Sequence, residues 1–188
     1  MLGIFREAYY YLDLLVGFSS PLLFYFLYKT GRIDKFLWRF FWIGVAVGTT
    51  WEIPIFVLSG ESTALPLIAW TRPLIAHYLV FMVSHSLWDG LLFVIGVRLV
   101  RGICRGPHFQ NFRWPELAVL FVWGQASELL VEISSTSNDG WVFVAYWWNP
   151  AIFQVNGHDI RLLMQVVWAA AAVVYYVLLI KLKPKCDQ

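Results

Sequence analysis

The stretch from Leu74 to Val100 reads LIAHYLVFMVSHSLWDGLLFVIGVRLV, and its only acidic residue is Asp89. A membrane-spanning helix needs about 20 mostly apolar residues, and this stretch exceeds that length. Its apolar residues follow helical spacing rather than the alternation typical of a β-barrel strand. The stretch therefore predicts a transmembrane helix.

Four further stretches are also long and apolar enough to span a bilayer. Of the 188 residues, 60% are hydrophobic and only 14% are charged, whereas a soluble domain has about 25% charged residues. The sequence predicts an all-α membrane protein, a single domain formed by a bundle of five transmembrane helices. The predicted spans are approximately residues 9–28, 37–58, 74–100, 116–133 and 161–182.

Charge and cysteine content narrow the function classes. The net charge of +2 excludes a nucleic-acid binder with a broad basic face. The two cysteines, Cys104 and Cys186, are far apart in polar segments and are expected to be free thiols.

The distribution of Lys and Arg predicts the orientation of the chain. These residues concentrate in the first loop, the third loop and the C-terminal tail. The N-terminus is therefore expected outside or in the lumen, and the C-terminus in the cytoplasm. We expect the endoplasmic reticulum in a eukaryote and the plasma membrane otherwise.

An aromatic segment, residues 141–155 (WVFVAYWWNPAIFQV), lies between the last two spans and is too short to cross the bilayer. It is expected to lie at the outer interface or to fold back over the bundle. Trp141 is assigned to the interfacial aromatic belt. Asp13, near the start of the first span, is expected to be an interfacial cap.

Acidic residues occur inside the spans, whereas every Lys and Arg lies in a loop or near a helix end. Glu52 is in the second span, Asp89 in the third, and Glu128 and Glu132 in the fourth. A charge in hydrocarbon costs at least about 2.5–3.5 kcal/mol, so such residues are functional candidates. An acid in an apolar pocket favours its neutral form and can then donate a proton.

The intramembrane polar residues are predicted to meet at one depth. With a rise of about 1.5 Å per residue, the acids, His85 and Gln165 fall in the middle and outer half of the bundle. His85 with Asp89, and Glu128 with Glu132, are i,i+4 pairs that share a helix face. For any single acid, a hydrogen bond between helices is the alternative. His85 alone could be a core residue, and Glu132 could face water beneath the fourth loop.

Tryptophans adjoin several of these polar positions. Trp51 precedes Glu52, Trp88 precedes Asp89, and Trp168 follows Gln165 by three residues. Aromatic ring faces stabilise cations. Acids with aromatic walls are what a site needs to form and guide a carbocation, although core packing would look similar.

Other kinds of site find less support. The chain has no HExxH, no GxSxG and no glycine-rich phosphate loop. No cofactor and no metal are predicted, and a metal held by His85, Asp89 and one glutamate is the alternative. Two non-enzymatic alternatives are a lipid-binding or accessory subunit and, with less support, a proton or cation pathway. The sequence is also compatible with a homodimer.

Short motifs in four spans resemble a known membrane family. They are Thr50-Trp51-Glu52, Leu87-Trp88, Gly124-Gln125 followed by Glu128 and Glu132, and Met164-Gln165-x-x-Trp168. These motifs resemble the emopamil-binding-protein superfamily, which includes sterol Δ8–Δ7 isomerase and has five helices with a lumenal N-terminus. The resemblance implies an acid at Glu52, and it matches Gln165 and Trp168 to the family's Asn-x-x-Trp. The chain departs from the family at Gly48, where the family has histidine.

The Trp51-Glu52 and Trp88-Asp89 pairs also resemble the membrane-bound terpene cyclases of fungal meroterpenoid pathways. Both resemblances imply protonation of a lipid and control of the resulting cation. We therefore expect an integral-membrane isomerase or cyclase whose partner is a hydrophobic lipid, a sterol or terpenoid. The expected acid and base residues are Glu52, Asp89 and Glu128, and the expected substrate-binding residues are Trp51, His85, Trp88, Glu132, Gln165 and Trp168.

Overall fold

Five long helices dominate the computed structural model, which describes residues 2–60 and 64–186. Each contains a segment long and apolar enough to cross a membrane. The prediction of five helices of spanning length is therefore confirmed. The helices are α1 (Leu2–Lys29), α2 (Lys35–Leu58), α3 (Tyr78–Ile103), α4 (Trp114–Ser137) and α5 (Leu162–Cys186).

The all-α prediction holds for the five long helices, and the loops within the described residues also contain four short strands, which the prediction did not include. Strand β1 (Ile68–Trp70) pairs antiparallel with β2 (Trp141–Phe143). Strand β3 (Ala151–Val155) pairs antiparallel with β4 (His158–Arg161). The aromatic segment 141–155 thus contributes to two small sheets, and its first strand folds back over the bundle.

Helix α3 is central to the packing of the bundle. It packs on α1, α2 and α4, while α5 packs on α2 and α4. Helices α2 to α5 therefore form a ring of four, and α1 packs on α3 and, less extensively, on α2. The α2–α3 contact is especially close because Gly44 faces Gly90, and small residues let helix backbones approach in this way.

Helix α1 continues through Pro21, which cannot donate a backbone hydrogen bond to Gly17. The Ser20 hydroxyl donates to the Gly17 carbonyl instead, at 2.9 Å. Such side-chain hydrogen bonds make proline tolerable within membrane helices. Gly17 also packs against Ser84 of α3, so α1 lies close to α3 at this level.

The two ends of the bundle differ in charge and in structure. The first loop, the third loop and the end of α5 meet at one end, which we call the basic end. There Arg101 pairs with Asp34 at 2.8 Å, and Lys183 donates to the His108 carbonyl at 2.7 Å. The strands lie at the opposite end, the sheet end, where the Tyr10 hydroxyl donates to the Gly140 carbonyl at 2.6 Å.

An aromatic layer fills the bundle between its centre and the basic end. The Tyr175 hydroxyl donates to the Phe40 carbonyl at 2.9 Å, and Phe93 stacks on Tyr175 at 4.3 Å between ring centroids. All three side chains are buried. This layer, the aromatic floor, closes the interior toward the basic end.

Candidate functional site

A cavity of about 550 Å³ lies among the five helices, between the aromatic floor and the sheet end. One acidic residue from each of four helices lines it: Asp13 from α1, Glu52 from α2, Asp89 from α3 and Glu128 from α4. The three predicted catalytic acids thus face one common cavity.

Three of these acids are almost completely buried. Glu52, Asp89 and Glu128 are 6%, 5% and 3% exposed. Among the residues that the structure describes, each has one buried carboxyl oxygen without a hydrogen-bond partner. Asp89 also interacts electrostatically with both glutamates. Leaving a buried polar group unpaired costs about 1–3 kcal/mol, so these unpaired oxygens lower the stability of the fold.

The position of Asp89 depends on a glycine across the helix contact. A β-carbon on Gly48 of α2 would overlap the Asp89 carboxyl group. The residue that departs from the resembled family therefore provides the space in which Asp89 lies. Asp89 reaches the cavity because position 48 has no side chain.

His85 connects the acids of α1 and α2. Its Nε2 atom is hydrogen-bonded to Oδ2 of Asp13 at 2.9 Å, and its Nδ1 atom lies 3.8 Å from Oε2 of Glu52. The ring also packs edge-on against Phe56, with centroids 5.1 Å apart. His85 and Asp89 share the cavity as expected, but the closest acidic partners of His85 come from neighbouring helices.

The prediction of Asp13 as an interfacial cap is wrong. Its side chain is 11% exposed and lines the cavity. Its main-chain carbonyl accepts hydrogen bonds from Trp88 Nε1 at 3.0 Å and from the Ser84 hydroxyl at 3.2 Å. These bonds fix the register of α1 against α3 and thereby place the Asp13 carboxyl group beside His85.

The tryptophans divide between the cavity wall and the packing behind it. Trp88 and Trp168 line the cavity, as does Trp141 of β2. Trp51 does not line it, and instead packs behind Trp168 with ring centroids 5.7 Å apart. Trp141 was expected at the interface, but it is only 5% exposed and helps to cover the cavity at the sheet end.

Glu132 and Gln165 do not line the cavity. Glu132 is fully buried and accepts a hydrogen bond from the Arg161 backbone N–H at 2.9 Å, so the alternative that it faces water is wrong. The Arg161 guanidinium donates to the carbonyls of Phe143 and Asn149, which holds β2 over the cavity. Gln165 contributes its main-chain carbonyl to a hydrogen bond from Gln125.

The cavity has an apolar mouth between α1 and α4. Leu12 and Leu130 line the cavity, yet they are 43% and 63% exposed on the outside of the bundle. Val16 and Val131 lie beside them and also line the cavity. We call these four residues the mouth, and it opens sideways, toward the surface that lipid would cover.

A metal site finds no support in the geometry. Within residues 2–60 and 64–186, no group of three or more His, Cys, Asp and Glu side chains is arranged to hold a metal ion. His85 is directed toward Asp13 and Glu52. The sequence alternative of His85 and Asp89 as joint ligands is therefore not supported.

More than half of the polar and aromatic residues that line the cavity were not predicted as site residues. One signal was available in α1, because Tyr9 and Asp13 are one helical turn apart and so share a face. The residues missed include Tyr9, Asp13, Ser127, Ser134, Asn138, Trp141 and Phe143.

Comparison of this chain with known proteins finds no similar protein. No family model matches this chain, and no curated protein and no solved structure matches it. Its function must therefore be inferred from the cavity and the side chains that line it.

Proposed function

We propose that this protein is an integral-membrane isomerase or cyclase that protonates a sterol or terpenoid lipid and controls the resulting carbocation. One observation carries the proposal. Glu52, Asp89 and Glu128 converge on a single aromatic-walled cavity, and each keeps a buried carboxyl oxygen without a hydrogen-bond partner among the described residues.

The chemistry needs only proton transfers. A neutral carboxylic acid gives its proton to an alkene carbon or an epoxide oxygen. The O–H bond of the acid breaks, the alkene π bond or one epoxide C–O bond breaks with it, and a positive charge develops on carbon. The faces of Trp88 and Trp168 stabilise that charge, an interaction worth about 2 kcal/mol when desolvated. A carboxylate then removes a proton from a neighbouring carbon, a double bond forms, and the product is an isomer of the substrate.

The volume of the cavity and its apolar mouth favour a lipid substrate. Taking about 30 Å³ for each water-sized group, the cavity of about 550 Å³ has room for on the order of 20 non-hydrogen atoms. That volume suits a terpenoid or the ring system of a sterol. The apolar mouth at Leu12 and Leu130 gives such a molecule a path from the bilayer and leaves space for a longer tail outside.

The distribution of charge supports the proposed orientation. All three basic segments meet at the basic end, which the positive-inside rule assigns to the cytoplasm. The sheet end, with the mouth nearer to it, then lies toward the outside or the lumen. We propose the endoplasmic reticulum as the location in a eukaryote, and the plasma membrane otherwise.

Solvent deuterium tests the chemistry even while the substrate is unidentified. The purified protein in lipid nanodiscs is incubated in D2O with a sterol and terpenoid extract of its source membranes, and products are analysed by mass spectrometry. We expect a product that keeps the formula of its substrate except for one deuterium per protonation at carbon.

A non-catalytic lipid-binding subunit is the second candidate, because the covered cavity and its apolar mouth would also hold a lipid. A bound lipid recovered from the protein, with no labelled isomer of any component of the extract, would favour that candidate. A transmembrane proton pathway receives less support, because the aromatic floor of Phe40, Phe93 and Tyr175 separates the acids from the basic end.

A further inference from the structure

Three side chains from three helices form a continuous line of contacts along the cavity. Asp13 of α1 is hydrogen-bonded to His85 of α3, and the other ring nitrogen of His85 faces Glu52 of α2. The Asp13 and His85 side chains are 11% and 13% exposed. The inference below rests on the proposed function, because it gives Asp13 a part in the same proton transfers.

The hydrogen bond to Asp13 determines which nitrogen of His85 carries a proton. With Asp13 ionised, its Oδ2 atom only accepts hydrogen bonds, so the Nε2 atom of His85 that faces it carries the hydrogen. In the neutral ring the Nδ1 atom is then unprotonated, and this atom lies 3.8 Å from Glu52. A carboxylate partner on one nitrogen sets the role of the other in this way in many sites.

The orientation of Asp13 is itself fixed. Its main-chain carbonyl is held by Trp88 and Ser84 of α3, the helix that also carries His85. On the opposite side, the edge-on contact with Phe56 restricts rotation of the imidazole ring. The alignment of Asp13 with His85 is thus set by packing between helices.

We propose that Asp13 is a positioning residue that holds His85 with its Nδ1 atom toward Glu52, so that His85 exchanges protons with Glu52. After Glu52 has taken a proton from the substrate cation, its new O–H bond breaks and an N–H bond forms at Nδ1 of His85. The products are a glutamate carboxylate and an imidazolium that the Asp13 carboxylate stabilises. The reverse step returns the proton and restores Glu52 as an acid for the next turnover.

Other titratable side chains also line this cavity. Tyr9 of α1, Asp89 of α3 and Glu128 of α4 line the cavity. Asp13 lies next to Leu12 in the mouth, whereas Asp89 and Glu128 are almost completely buried. His85 therefore connects the edge of the cavity with the buried acids.

Nitrogen NMR tests the orientation of His85 independently of activity. The full chain is labelled with 15N-histidine in nanodiscs, and His85→Gln identifies the His85 signals among those of the four histidines. In the wild type we expect a protonated Nε2 at every pH studied. In Asp13→Asn we expect part of the proton population to move to Nδ1, whereas Glu7→Gln, an exposed change on the same helix, leaves the signals unchanged.

Two results would overturn the proposal: a neutral wild-type His85 protonated at Nδ1, or His85 signals in Asp13→Asn identical to those of the wild type. Asp13→Glu retains a carboxylate acceptor and is expected to keep the Nε2–H form. If Asp13→Asn does not fold, the wild-type and Asp13→Glu spectra decide, because a Nδ1–H form in both would also overturn it.

The deuterium assay provides the functional readout. We expect Asp13→Asn to lower the rate of labelled product by about 100-fold, while the amount of lipid retained by the protein stays at the wild-type level. An unchanged rate would show that Asp13 has no part in the proton transfers. A wild-type protein that forms no labelled product would instead overturn the proposed function, and the NMR spectra would still decide the orientation of His85.

Discussion

Asp89 on α3 occupies the space that a side chain on Gly48 of α2 would need, since a β-carbon there would overlap its carboxyl group. The two positions are therefore dependent on each other. An acid can enter the cavity from α3 only while position 48 is glycine. A histidine at position 48 and the Asp89 side chain in its present position would exclude each other.

Gly48→Ala is expected to destabilise the protein by about 1–3 kcal/mol, the usual cost of overpacking a core, and to displace Asp89. Thermal unfolding in detergent measures the change, and the deuterium assay should show a reduced rate. Gly102→Ala is the matched control in α3, because no atom lies within 4 Å of its new β-carbon. Equal unfolding temperatures for Gly48→Ala and the wild type would contradict this packing.

Glu52→Gln, Asp89→Asn and Glu128→Gln retain the shape of each side chain and remove its acid. We expect at least one of them to lower the rate of labelled product by on the order of 100-fold or more, the scale of general acid catalysis. Glu132→Gln is the matched control, since Glu132 lies one turn from Glu128 but points to the Arg161 backbone. Near wild-type rates in all three variants would rule out the acid mechanism.

Leu130→Trp should narrow the mouth. We expect this variant to retain severalfold less lipid than the wild type after purification, as measured by mass spectrometry of the extracted lipids. Leu22→Trp is the control, because Leu22 is 71% exposed on α1 and does not line the cavity. If both variants retain equal lipid, entry between α1 and α4 is wrong.

Arg161→Met removes the donors to the buried carbonyls of Phe143 and Asn149. Each buried acceptor left unpaired costs about 1–3 kcal/mol, so we expect lower thermal stability and faster hydrogen exchange in β2. Arg98→Met, at an exposed position, should leave both measurements unchanged. Unaltered exchange in residues 141–143 would show that Arg161 does not hold β2 in place.

Single cysteines introduced into a Cys104→Ser, Cys186→Ser background test the proposed orientation. Lys181→Cys at the basic end should react with an impermeant thiol reagent only from the cytoplasmic side. Trp147→Cys at the sheet end, where the native side chain is 93% exposed, should react only from the outside or lumen. The reverse labelling pattern would invert the proposed topology.

The five helices were predictable because spanning length and apolar composition are properties of the local sequence. The residues at which the helices begin and end were less predictable. The third span was predicted from residue 74, but α3 begins at Tyr78, where Nδ1 of His77 accepts a hydrogen bond from the Leu79 N–H. The β3–β4 hairpin did carry a local signal that the sequence reasoning did not use. Asn156-Gly157 forms its turn with positive φ at both residues, as type I′ turns require.

The cavity was only partly predictable, because helix depth shows which residues share a level and not which face they present. The depths of Glu52, Asp89 and Glu128 indicated a shared level, and the packing of the helices turns all three side chains toward one cavity. Asp13 was missed because its place depends on the register that Trp88 and Ser84 impose on α1. Trp51 was misplaced for a similar reason, since its orientation follows from packing against Trp168.

The presence of one cavity-lining acid on each of α1 to α4 has a consequence for biogenesis. A helix entering the bilayer alone with one such acid bears a cost of about 2.5–3.5 kcal/mol, which the apolar residues of the same helix can offset. Four acids on one helix would oppose insertion far more strongly. The four acids therefore come together only when the inserted helices associate. A fragment that contains only α1 and α2 would insert with two of these acids and would lack the cavity.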